Sequence, residues 1–128
     1  MALEGKIPKV NWPDRSGTYK IIQLELDGTK YLRFPKDSLE FMHYAILKNF
    51  LEEQKVGYNL IQADQGGGRE IPSPIGERYK IVGMGKSEIN LQDKTSRFYD
   101  ISMDYKIGIN EEHLESIKKD FPEWKFKY

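Results

Sequence analysis

The dipeptide Asp27-Gly28, set between two runs of alternating apolar residues, constrains this chain more than any other feature. A two-residue type I′ turn needs positive φ at both central positions, and its twist matches that of antiparallel strands. Residues 18–26, TYKIIQLEL, place Ile22, Leu24 and Leu26 on one face, and residues 29–34 form the returning strand. The short loop sets the register: Leu26 faces Thr29, Leu24 faces Tyr31 and Ile22 faces Arg33. Lys20 then lies on the face of Arg33, diagonal to it and remote from the turn, where two cations can bracket an anion.

Residues 36–55 are predicted as a helix, capped by Asp37 or Ser38 and ended by Gly57. At 100° per residue, Leu39, Ile46, Leu47, Phe50 and Leu51 share the apolar face, and His43 projects into it. A histidine there is partly desolvated and can approach groups at the strand ends. Residues 58–63 read as a strand leading into Gly66-Gly67-Gly68-Arg69, where glycines free the backbone to turn amides toward a ligand. That order suggests a sheet with a crossover helix. Residues 79–84 and 98–105 read as further strands, with the polar stretch 85–96 as a long hairpin or protruding loop.

A final helix carries full end signals: Asn110 as N-cap, Glu111 and Glu112 in the first turn, Lys118 and Lys119 in the last, and Pro122 beyond. Ile109 and Leu114 are placed to form a hydrophobic staple, and His113, among glutamates, reads as a solvated surface residue. Residues 1–17 read as an arm laid over the domain by Val10 and Trp12. The expected architecture is a single α+β domain, with a mixed sheet of about five to six strands and two main helices.

Twenty acidic and twenty basic residues argue against a dedicated nucleic-acid binder, which needs a net basic face to release counterions. The absence of cysteine excludes disulfides, thiol nucleophiles and zinc-thiolate sites, and two histidines make a histidine-rich metal site improbable. No metal or other cofactor is therefore expected. The sequence has no apolar run long enough for a membrane span and no signal-peptide pattern at its start, so a cytoplasmic protein is expected; the expected state is a monomer.

His43, Lys20, Arg33 and Arg69 become informative when brought to one end of the sheet. Phosphate chemistry calls for cations to neutralise oxygens, amides to orient them, and one base or nucleophile. The order of SGTYK ending at Lys20, the strand-end Arg33, EFMH ending at His43, GGGR ending at Arg69, and SMDY at Ser102 to Tyr105 resembles the phosphohistidine phosphatase and Janus/Ocnus family. The resemblance runs over most of the chain.

The resemblance implies a metal-independent hydrolase that removes phosphate from phosphohistidine on a protein substrate. It makes His43 the general base, or alternatively the nucleophile. Lys20, Arg33 and Arg69 would hold phosphate oxygens, aided by Ser102, the amides of Met103 and Asp104, and those of Tyr44 and Ala45. Two departures bear on this. Asp104 stands where the family usually has a small residue, and a carboxylate aimed at bound phosphate would repel it. The stretch between Arg69 and Ser102 is longer than usual, suggesting an added hairpin at about residues 84–96. The alternatives are a catalytically weak phosphate-binding or interaction module of the same fold, and a structural domain in which His43 belongs to the core.

Overall fold

The computed structural model describes residues 7–36, 42–63 and 69–128. Asp37, Ser38, Leu39 and the Gly66-Gly67-Gly68 triplet lie outside the described residues. The Asp27-Gly28 turn has φ of 51° and 84° at its two central residues, as a type I′ turn requires. It joins β1 (Gly17–Leu26) to β2 (Thr29–Arg33) in the expected register, Ile22 opposite Arg33 and Leu24 opposite Tyr31.

A mixed five-stranded sheet grows from this hairpin in the order β2-β1-β5-β6-β9, with β5 (Tyr79–Asn90) central, then β6 (Thr95–Tyr99) and β9 (Lys125–Lys127). Only the β6–β9 pairing is parallel within it. The polar stretch 85–96 is the long hairpin of the two expected forms, not a protruding loop, since Lys86 to Asn90 pair antiparallel with Thr95 to Tyr99. Its first part is the second half of the central strand, and residues 91–94 turn the chain into β6. The stretch is polar because this end of the sheet leaves one face open to solvent, so only alternate positions such as Ser87 and Ile89 are buried.

A bulge divides β5. Gln23 pairs with Gly83 and Leu24 with Ile81, leaving Val82 without a partner on β1. One extra residue exchanges the faces of the strand. Tyr79, Ile81 and Met84 thus join Ile22, Leu24 and Leu26 in a core covered by α1 (His43–Glu53), through Ile46, Leu47, Phe50 and Leu51. Ile89 instead joins Ile21, Leu32 and Phe98 in a second core on the opposite face, closed by Leu114 and Ile117 of α2 (Glu111–Lys118).

Both ends of α1 differ from expectation: it starts at His43, with Met42 as N-cap and no side-chain cap bond, rather than at residue 36. Asn110 caps α2, its side chain accepting from the His113 amide, and Ile109 packs on the cluster that contains Leu114. In α1, by contrast, Lys55 rather than Gly57 takes the left-handed position after the helix, with φ of 57°. The Val56 amide then reaches back to the Leu51 carbonyl at 2.8 Å, and Val56 is buried, so a Schellman-type closure ends the helix.

Among the described residues β3 (Leu60–Gln62) pairs only with β4 (Glu70–Pro72), in a separate ribbon rather than in the main sheet, so no crossover of the expected kind is formed there. A second ribbon joins β7 (Ile101–Ser102) to β8 (Ile107–Gly108). The arm is held as expected: Val10 bridges Leu32 at the edge of β2, and Trp12 stacks on Trp124 with ring centroids 3.9 Å apart.

Candidate functional site

Beyond the N-terminus of α1, the face of the sheet that the helix covers becomes an open cleft of about 310 Å³, whose lining includes Lys20, Met42, His43, Arg69 and Lys86 and the segment Asp100 to Asp104. Position along β1 explains the placement. Ile22, Leu24 and Leu26 lie under the helix, whereas Lys20 shares their face two residues past its edge.

His43 opens α1 and is buried, with Nε2 2.8 Å from the carbonyl oxygen of Gly85. A carbonyl only accepts, so Nε2 carries the proton and Nδ1 the lone pair. Burial lowers the imidazole pKa below 6.5, the Gly85 bond and the carboxylates of Asp100 and Asp104 partly oppose it, and Lys20 adds to the lowering. The ring is therefore neutral at pH 7, with a basic nitrogen available.

Gly85 has its own reason to lack a side chain. A Cβ there would meet the carbonyl oxygens of Tyr99 at 2.6 Å and Asp100 at 2.9 Å, and Ile109 Cδ1 at 2.7 Å. The same close approach brings the end of β6 across the strand and delivers Asp100 to the cleft.

Arg69 donates through Nη2 to both carboxylate oxygens of Asp104, at 2.9 and 2.8 Å. The Asp104 side chain is only 8% exposed, against 41% for Arg69. Asp104 is thus turned inward onto the guanidinium, which has Nη1 and Nε left to donate. The Arg69 guanidinium also lies 5.5 Å from the ring centroid of Tyr44.

Ser102 is buried, and its hydroxyl accepts from the Tyr105 amide at 3.3 Å while its carbonyl accepts from the Lys106 amide at 2.7 Å. These bonds hold residues 102–106 in one tight turn. The amides of Met103 and Asp104, at its start, donate to no described residue. Met103 and Ile101 are exposed on either side of Ser102.

Several expected members stand elsewhere. Arg33 is on the predicted face, but α1 runs over it. Its guanidinium donates to the Pro8 carbonyl and lies 4.9 Å from the Phe50 ring centroid and 5.3 Å from that of Tyr31. Burial brings its pKa down to about 10. The diagonal pairing with Lys20 is real in register, yet Arg33 does not line the cleft. Tyr44 and Ala45 do not line it either, and the Ala45 amide bonds to the Met42 carbonyl at 3.1 Å.

Two charged cleft residues, Lys86 and Asp100, carried no motif in the sequence. Lys86 pairs directly with Lys20 across β1 and β5, a register that the bulge conceals from simple alternation. Asp100 has φ of 75° and an Lys86 Nζ distance of 3.3 Å. The Ile101 amide and then Lys86 hold its carboxyl below the usual range.

His113 also departs from expectation. It is buried, Gln23 Nε2 lies 3.1 Å from its Nδ1, and burial takes its pKa down to about 4. Its acidic neighbours in the helix point to solvent, while His113 itself faces the sheet.

Among the described residues no group of acidic and histidine side chains is arranged to hold a metal, and no helix is long and apolar enough to cross a membrane. No family model and no curated protein matches the chain.

Proposed function

We propose that the chain is a protein phosphohistidine phosphatase with its active site in the His43 cleft, acting without a metal. The observation that carries this reading is the His43–Gly85 hydrogen bond, which pins one imidazole nitrogen and leaves the other as a base beside Lys20. In the proposed reaction Nδ1 takes a proton from water as the water oxygen attacks phosphorus. The P–N bond breaks, and the proton held by His43 is returned to the leaving imidazole. Lys20, the free donors of Arg69, and the Met103 and Asp104 amides would receive the phosphoryl oxygens. Exposed Met103 and Ile101 at the rim suit a protein substrate, and the expected setting is a cytoplasmic monomer.

The test is release of phosphate from a phosphohistidine protein in the presence of chelator, comparing the natural chain with His43→Ala. Turnover is lost in the variant while its circular dichroism is retained; equal rates in the two proteins would overturn the reading.

One observation favours a second reading, a phosphate-binding or interaction module with little turnover. Asp104 neutralises the cation that would otherwise meet the phosphate. Under that reading Asp104→Ala gains activity, whereas under the first it changes affinity and leaves turnover in place.

A further inference from the structure

The pairing of β1 with β5 sets Lys20 directly opposite Lys86. Side chains so placed share a face, with Cβ atoms ~4.5–5.5 Å apart, and like charges there repel. Nothing in the β1–β5 pairing requires two lysines at this point. Lys20 Nζ donates to the Met42 sulfur at 3.7 Å, and no described carboxylate pairs with it. Lys86 has one counter-ion, Asp100, carried on a residue with φ of 75°, a region that side chains other than glycine rarely adopt.

The two ion pairs of the cleft differ in how readily they open. Asp104, 8% exposed, is held inside by its environment, so Arg69 stays compensated. The Lys86 and Asp100 side chains are 38% and 42% exposed, and ion pairs this exposed are weak and easily exchanged with solvent or another anion. Lys86 can therefore be released to a ligand where Arg69's partner cannot leave.

We propose that Lys86 is the second cation of the anion site, clamping a phosphoryl group together with Lys20, and that Asp100 is a resident counter-ion which the phosphoryl group displaces. The lysine pair is unfavourable in the free protein and becomes favourable once a dianion lies between the two ammonium groups. This rests on the phosphate reading of the cleft. It replaces Arg33, which the fold takes out of reach, with a residue from the central strand.

The probe is inorganic phosphate, titrated into the full chain at constant ionic strength and followed through the His43 imidazole and Met103 amide resonances. Lys86→Gln weakens phosphate binding about tenfold, Lys86→Arg retains it, and Asp100→Asn tightens it about threefold. In the Lys86→Gln background, Asp100→Asn then has no further effect. Thermal melts show Lys86→Gln folded, with a midpoint equal to or above that of the natural chain, because a repulsive pair is removed. Unchanged affinity in Lys86→Gln alongside lost affinity in Lys20→Gln overturns this proposal and leaves the phosphate reading standing. Equal tightening by Asp100→Asn in both backgrounds overturns the counter-ion role. Failure of phosphate to move the His43 resonances of the natural chain overturns the phosphate reading and this proposal together.

Discussion

The Nε2 atom of His43 lies 2.8 Å from the carbonyl oxygen of Gly85, so the tautomer of a helix residue is set by the backbone of the central strand. This bond ties the imidazole to a strand position where a side chain does not fit. A methyl group added at Gly85 meets backbone oxygens of Tyr99 and Asp100 under 3 Å away, and backbone cannot swing aside as a flexible side chain can.

Gly85→Ala is accordingly expected to cost ~1–3 kcal/mol in urea denaturation, the range for an overpacked site. The same variant should alter the nitrogen chemical shifts of His43, since the carbonyl that selects its tautomer is displaced. A natural stability with an unchanged His43 spectrum would show that β6 yields more easily than its contacts imply.

Under the proposed function, the acid limb of activity should fall below pH 6.5, because burial lowers the His43 pKa from that value and keeps the imidazole unprotonated further into acid. A pH–rate profile with its midpoint above 6.5 would contradict the burial of this ring.

Stability has its own pH dependence, dominated by His113. Its pKa is about 4 when folded and 6.5 as the ordinary value, so between these limits the unfolded chain binds the proton and the folded chain does not. Stability is complete above pH 6.5 and declines as the pH falls toward 4, by on the order of 3 kcal/mol. His43, lowered in the same direction, adds to the decline. Urea melts from pH 7.5 to about 4 should show this slope, and His113→Gln should flatten most of it.

Asp104→Asn releases Arg69 from its carboxylate and adds one positive charge to the cleft. Phosphate affinity should rise about tenfold, equivalent to ~1.4 kcal/mol, as measured by calorimetry. Unchanged affinity would mean that the inward-turned carboxylate is already fully compensated by Arg69.

Arg33→Met should leave phosphate binding intact, because the guanidinium is packed on Phe50 and Tyr31 and does not line the cleft. Stability should change by less than about 1.5 kcal/mol, since a buried charge with an unpartnered Nε is replaced by an apolar side chain of similar length. Loss of phosphate binding here would return Arg33 to the site.

Local patterns were enough for the hairpin. A turn that demands positive φ, followed by alternation of period two, leaves one register, and β1 and β2 follow it residue by residue. The ends of α2 were legible for the same reason, since a cap is satisfied by neighbours within a few residues. The two-helix α+β architecture followed from those periods. The sequence also singled out Lys20, His43, Arg69, Ser102, Met103 and Asp104, all of which line one cleft. What tertiary structure alone decided was the placement of charges. Arg33 and His113 are buried because elements distant in sequence cover them: α1 over the first, the sheet beneath the second. Lys86 faces Lys20, and Asp100 faces Lys86, because a bulge shifts the register of β5 and Gly85 lets β6 pass close by. Burial and pairing of charge depend on which surfaces meet, and that is settled by packing between segments rather than by the periodicity within any one of them.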